Sequence, residues 1–150
     1  MSTAKVLVIH GPNLNLLGRR EPKVYGSHTL AEIDTMIRHE AVALGLEVRI
    51  VQSNHEGAIV EAVHEALDWA EVIIINPAAY THTSVAIRDA LAAVRLPAIE
   101  VHLSNVYARE EFRHRSLTAP ACAGVISGFG AHGYLAALRL ALTLVKPGET

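Results

Sequence analysis

The chain has 150 residues and one cysteine, Cys122, which rules out a disulfide within it and suits a reducing cytosol. Aromatic residues make up only 5%, so a core must be assembled from Val, Ile, Leu and Ala. Basic excess is missing too. The net charge is −2 with mixed signs along the chain, which argues against a nucleic-acid or anionic-membrane surface. No apolar run reaches the roughly 18 residues of a membrane span. The opening stretch MSTAKVLVIHG has too short an apolar run for a secretory leader. A cytoplasmic chain with neither nucleic acid nor membrane as partner is expected.

Other absences narrow the chemistry. No Gly-x-Gly-x-x-Gly follows the first strand pattern and no Walker A sequence occurs, so the usual nucleotide cradles are missing. Nine histidines invite a metal reading, yet His39-Glu40, His55-Glu56 and His64-Glu65 all lack the second histidine of a His-Glu-x-x-His helix. His39 and His64 are expected on helix surfaces. With Cys122 alone, no Cys/His zinc set can be assembled. A Gly-x-Ser-x-Gly elbow is absent. Of the lysines, Lys5 opens a strand at the wrong edge and Lys146 lies in the tail, so Schiff-base chemistry has no good candidate.

What is present is apolar and regularly spaced. Apolar residues make up 51%, enough for one domain over residues 1–150. Short β-branched runs at Lys5–His10, Glu47–Gln52, Val72–Ile75, Ala98–Val101 and Gly124–Ser127 read as strands. Helical patterns separate them. One opens at the capping box Thr29-Leu-Ala-Glu32, carries Ile33, Ile37 and Leu44, and stops at Gly45. A second runs from about Gly57 to Trp69, carrying Ile59, Val63 and Leu67. Others cover about Ser84 to Ala93, a short polar stretch around Glu110–Arg115, and Ala131–Leu144. Residues 11–28 read as a long loop. Apolar strands alternating with amphipathic helices imply an α/β fold with a parallel sheet covered on both faces. Right-handed crossovers favour a doubly wound, flavodoxin-like five-stranded sheet of order 2-1-3-4-5.

Ligands of such sheets bind beyond the carboxyl ends of the strands. Those ends read His10-Gly11-Pro12-Asn13, Ser53-Asn54-His55, Asn76 to His82, His102-Leu103-Ser104-Asn105 and Ser127-Gly128. Amides, hydroxyls and imidazoles gather on this edge and not on the other. Loops after strands are polar in any protein, and Asn and Ser cap helices. The one-sided collection nonetheless points to an active site.

Three stretches then carry a resemblance. His10-Gly-Pro-Asn-Leu-Asn-Leu-Leu-Gly-Arg-Arg-Glu-Pro-Lys-Val-Tyr-Gly26 resembles the signature loop of type II 3-dehydroquinate dehydratases. Asn76-Pro-Ala-Ala-Tyr-Thr-His-Thr-Ser84 is similar to their second motif, and Glu100-Val-His-Leu-Ser-Asn-Val-Tyr-Ala-Arg-Glu-Glu-Phe-Arg-His114 to their third. The likeness spans essentially the whole chain. Leu103 stands where many members have isoleucine. The resemblance implies a hydro-lyase of the shikimate pathway of aromatic amino-acid biosynthesis. Its reaction is the dehydration of 3-dehydroquinate to 3-dehydroshikimate, without cofactor. A homododecamer, a tetramer of trimers, is implied as well.

That family's reaction is an anti elimination through an enolate, which needs a base, an acid and a group to hold the oxyanion. Tyr25 is the implied base. A phenol titrates near 10, so its anion costs roughly 4 kcal/mol at neutral pH and calls for a nearby cation. Arg20 is the expected cation, with Arg19 its alternative. Gly18–Gly26 is expected to act as a lid carrying Arg20 and Tyr25. His102 is the implied acid, and Glu100, two residues back on one strand face, orients it. Asn13 is assigned to the enolate through a water, and Asn76 to a substrate hydroxyl. His82 and Arg113 are assigned to ring hydroxyls. Ser104, with the backbone amide of Leu103, is assigned to the substrate carboxylate. Asp89 is expected to reach a neighbouring subunit's site. Arg109 is open between the site and an ordinary salt bridge.

A non-catalytic flavodoxin-like module is the competing reading. A receiver domain needs acidic residues where this chain has His10-Gly11-Pro12 and Asn76-Pro77. An FMN binder needs a Ser/Thr/Gly phosphate loop after the first strand. The sequence has neither.

Overall fold

The computed structural model describes residues 3–145. Lys146, read as a tail residue, lies outside them. Five parallel strands form one sheet: β1 (Ala4–His10), β2 (Leu46–Gln52), β3 (Val72–Asn76), β4 (Ala98–His102) and β5 (Gly124–Ser127). Their order is β2-β1-β3-β4-β5, as expected from the sequence. The helices are α1 (Pro22–Tyr25), α2 (Leu30–Leu44), α3 (Glu56–Glu65), α4 (Val85–Val94) and α5 (His132–Leu144). Among the described residues no helix is long and apolar enough to cross a membrane.

Strand alternation sorts the core into two layers. Val6, Val8, Val72, Ile74, Ile99 and Val101 pack with Ile33 and Ile37 of α2 and Leu138 of α5. Leu7, Ile9, Ile73, Ile75 and Ala98 pack with Ile59 and Val63 of α3 and Ile87 and Leu91 of α4. β3 is buried along its whole length, as is β4. The edge strands depart from the uniformly covered sheet that the apolar runs suggest. β2 alternates between covered and exposed positions, and the first two residues of β5 are exposed.

Local chemistry sets the helix ends. The Thr29 side chain accepts from the Glu32 N–H while Glu32 reaches back to the Thr29 N–H, which closes the capping box of α2. Gly45 ends α2 in the left-handed conformation. Ser84 caps α4 through the Ile87 N–H.

Four readings need correction. The helix expected over Gly57–Trp69 ends at Glu65 and continues as a 3₁₀ turn over Ala66–Asp68. Leu67 is exposed and Ala66 takes the buried place, because the apolar face returns after seven residues and not eight. The polar helix around Glu110–Arg115 is a single 3₁₀ turn, Glu111–Arg113. The long loop 11–28 is partly folded. It holds a 3₁₀ turn at Leu14–Leu16 and the one-turn α1, where Pro22 takes the first helical position. His102 ends β4 rather than following it.

One close approach joins this frame to the polar edge. The Gly11 N–H donates to the Asn76 carbonyl at 2.8 Å, so the chain leaving β1 lies directly against the end of β3. A Cβ at Gly11 would stand 2.6 Å from the Pro77 carbonyl oxygen and 2.8 Å from that of Asn76. Both are backbone atoms that cannot swing aside. Gly11→Ala is expected to cost about 1–3 kcal/mol of stability, read from urea midpoints, and to lower turnover by displacing Asn76.

Candidate active site

The carboxyl edge of the sheet holds a cleft. Its walls include Asn13, Arg20, Tyr25, Asn76, His82, His102, Leu103, Ser104, Arg109 and Arg113. Of the residues singled out in the sequence for the site, Glu100, Asp89 and Arg19 do not line it. Glu100 stands behind His102, fully buried, and Asp89 is exposed on α4. Arg19 is exposed and does not line the cleft, while Arg20 does.

Tyr25 ends α1 and is half-buried against the α2/α5 core layer. Two guanidiniums lie against its ring: Arg20 at 4.5 Å from the ring centre and Arg109 at 4.9 Å. Arg109 therefore belongs to the cleft. Its ion pair with Glu110 is long at 3.9 Å, whereas Arg113 holds the same carboxylate at 2.9 Å. The chain is strained where it enters and leaves this region. Asn13 (φ 69°), Glu21 (φ 33°) and Ala78 (φ 52°) are all left-handed without being glycine. Asparagine is the residue type that best tolerates this. The end of β2 supports Asn13, since its N–H donates to the Asn54 side-chain oxygen at 2.9 Å.

Glu100 and His102 share the α3/α4 face of β4, as strand alternation requires. The His102 Nε2–H donates to Glu100 at 2.8 Å. Thr118 donates to the same carboxylate, and Ser116 does so at 2.9 Å. Burial pushes the Glu100 carboxyl up, but the hydrogen bonds from His102, Thr118 and Ser116, with the charge of His102, outweigh it. The net effect lowers it, and Glu100 is ionised at neutral pH. Cys122, close by, is pushed up to about 12 by burial and by the Glu100 charge, so its thiol stays protonated. The remaining site histidine, His82, donates from Nδ1 to the Arg115 carbonyl at 2.8 Å, which leaves Nε2 for a ligand.

A second polar group lies on the other face of the sheet. His10 is fully buried, with Nδ1 2.9 Å from the Tyr134 hydroxyl and Nε2 2.8 Å from Asp34. The Asn76 amide donates to the same hydroxyl at 3.1 Å and accepts from the Ala78 N–H at 3.0 Å. Burial pushes the Tyr134 phenol well up from its ordinary value, and it is neutral. Sequence reasoning missed Thr118, Ser116, Asp34 and Tyr134, which stand far along the chain from their partners. One signal was available: Val6, Val8 and His10 share a strand face, and an imidazole on an apolar stripe needs partners. Among the described residues no cluster of three or more His, Cys, Asp or Glu side chains is placed to hold a metal ion.

Acid–base chemistry on a small molecule, run from the carboxyl edge of a parallel sheet, is the class of enzyme that this fold and cleft define. Comparison with known proteins narrows the class. Residues 4–142 match the family model described as dehydroquinase class II. A 3-dehydroquinate dehydratase of Ralstonia pickettii is 62% identical over 138 residues, 91% of this chain and 89% of that protein. One from Desulforudis audaxviator is 55% identical over 145 residues, 97% of each. The crystal structure of a type II dehydroquinase from Butyrivibrio crossotus superposes with a TM-score of 0.91 at 50% identity, covering 93% of this chain and 98% of that one. The chain belongs to the class II dehydroquinase family.

The lowered Glu100 carboxyl has a consequence for acid stability. A carboxylate held below its ordinary 4.5 stabilises the fold fully above that pH, and the stabilisation is lost as pH falls through the folded value. Melting temperatures below that pH should fall more steeply for the native chain than for Glu100→Gln. Equal slopes would show that Glu100 gains nothing from its partners.

Proposed function

We propose that this cleft carries out the anti elimination of water from 3-dehydroquinate, with Tyr25 as base and His102 as acid. The activity is that of the family, a hydro-lyase of the shikimate pathway; the residue roles are the proposal. The observation that carries it is the pairing of a phenol against two guanidiniums with an imidazole backed by an ionised, buried carboxylate.

Tyr25 takes the proton next to the ketone. The positive charges of Arg20 and Arg109 beside its ring offset the negative charge that a phenolate base carries. The electron pair moves onto the ketone oxygen as an enolate. Asn13, at the cleft wall, holds that oxygen through a water. The C–O bond to the departing hydroxyl then breaks, and His102 supplies the proton that makes it water. Nε2 of His102 is committed to Glu100, so the proton leaves from Nδ1. Glu100 does not meet the substrate. It fixes the ring and stabilises the imidazolium. The other wall residues bind: His82 and Arg113 the ring hydroxyls, Asn76 a further hydroxyl, and Ser104 with the Leu103 amide the carboxylate. The base, the acid and the binding groups all come from this chain, and the proposed elimination calls on no metal or organic cofactor.

The working unit is taken as one catalytic domain over residues 1–150, cytoplasmic and assembled as a homododecamer of four trimers. Large apolar side chains at the surface, among them Tyr107, Phe112 and Phe129, favour an assembly. Asp89, exposed and outside this chain's own cleft, is then in a position to serve a neighbour's. Gly18–Gly26 acts as the lid, its α1 turn carrying Tyr25.

Turnover is followed by the ultraviolet absorbance of the conjugated product. Tyr25→Phe is expected to lower kcat by about 10²–10⁴-fold with ligand binding largely kept. Near-normal turnover by that variant would remove Tyr25 from the mechanism.

A further inference from the structure

The elimination uses Asn76 but leaves unexplained why its amide is tied to a buried histidine and a buried tyrosine. The proton positions in that group follow from one fixed donor. The Ala78 N–H can only donate, so the amide oxygen of Asn76 faces it and the amide nitrogen faces Tyr134. The Tyr134 oxygen therefore accepts from Asn76. Its own proton has one partner available, Nδ1 of His10, 2.9 Å away. With Nδ1 accepting, the imidazole proton sits on Nε2 and is donated to Asp34 at 2.8 Å. Every donor then meets an acceptor in a single direction, from Asn76 through Tyr134 and His10 to the carboxylate. An imidazolium would break this order. Its Nδ1–H would press on the Tyr134 oxygen and leave the phenolic proton without an acceptor, at full burial.

The chain runs on the α2/α5 face, across the sheet from Glu100 and His102. Asp34 comes from α2, His10 from β1, Asn76 from β3 and Tyr134 from α5. Its far end is partly open to solvent, the Asp34 side chain being 21% exposed. Both amide ends of Asn76 are occupied, yet its nitrogen carries two hydrogens and gives only one to Tyr134. The second is the group that Asn76, as a cleft residue, can offer a ligand.

We propose that Asp34, His10 and Tyr134 are positioning residues that lock the Asn76 amide so that it presents a hydrogen-bond donor, never an acceptor, to the substrate. The inference rests on Asn76 touching substrate. A flipped amide would show its oxygen to the cleft and set its NH₂ against the Ala78 N–H. The chain makes that arrangement costly, and so selects for a substrate oxygen able to accept at this point.

The tautomer of His10 is read first, in ligand-free enzyme, from long-range proton–nitrogen NMR at neutral pH. A bare Nδ1 with the proton on Nε2 is expected. A proton on Nδ1, or an imidazolium, overturns the proposal whatever the enzyme's kinetics. Kinetics of the full-length enzyme follow. Tyr134→Phe should raise KM about tenfold, the worth of one oriented hydrogen bond, with a much smaller change in kcat. A role confined to structure would lower the melting temperature and leave KM alone. Should Tyr134→Phe fail to fold, Asp34→Ala at the partly exposed end decides. It should raise KM, and Asp34→Asn, whose amide oxygen still accepts from Nε2–H, should raise it less. An unchanged KM in Asp34→Ala, or in a folded Tyr134→Phe, overturns the proposal. Failure of the dehydration reading is seen separately, as absence of turnover by the native enzyme.

Discussion

A negative charge buried inside a β-strand is the constraint around which the active edge is built. Glu100 sits in the middle of β4 with no exposure to solvent. Removing a partner from such a charge costs about 3–5 kcal/mol, so the surrounding chain has to supply donors. It does so from two places: the next residue on the same strand face, His102, and the segment at Ser116 and Thr118. That segment is fixed in turn, because the Ser116 hydroxyl that donates to Glu100 also accepts from the Ala119 N–H. The chain between β4 and β5 is therefore folded around the carboxylate. The same bonds that satisfy the charge hold the His102 ring at the cleft.

The alternation of a strand divides the site between the two sides of the sheet. His102 and its carboxylate belong to the α3/α4 side, and His10 and Asn76 to the α2/α5 side. Each side has a buried histidine bonded to a carboxylate, and the two differ in what the second nitrogen meets. His10 has both nitrogens occupied by protein groups, which suits it to holding and not to proton transfer. His102 has one nitrogen on Glu100 and lines the cleft. The first loop brings Tyr25 and Arg20 against Arg109, which comes from the segment after β4. Dehydration asks for these separate stations, because base and acid act on different faces of one ring.

The sheet order could be read from the sequence because five apolar runs separated by amphipathic helices leave few right-handed solutions. The capping box at Thr29 and the Glu100–His102 pair were legible for the same kind of reason: both rest on spacings of two or three residues. The cleft membership of Asn13, Arg20, Tyr25, Asn76, His82, Leu103, Ser104 and Arg113 followed from the family motifs and the strand ends together. What stayed hidden depends on contacts across the chain. Tyr134 meets His10 from 124 positions away, and Thr118 lies in a stretch with no periodicity. Leu67 falls outside the buried stripe for a geometric reason, since a helix brings its seventh following residue, not its eighth, back to the same line. The position of Arg109 in the sequence is compatible with two roles, and the structure gives it both, a ring contact with Tyr25 and a long ion pair with Glu110.

An anti elimination requires proton and hydroxyl to leave from opposite faces of the substrate, with base and acid carried by different parts of the sheet edge. The most direct measurement uses 3-dehydroquinate deuterated stereospecifically at the carbon between the ketone and the hydroxyl-bearing carbon. Mass spectrometry of the product shows which isotope departed. Loss of the hydrogen trans to the departing hydroxyl, with retention of the other, is expected. Loss of the cis hydrogen would place base and acid on one face and contradict the assignment of Tyr25 and His102 together.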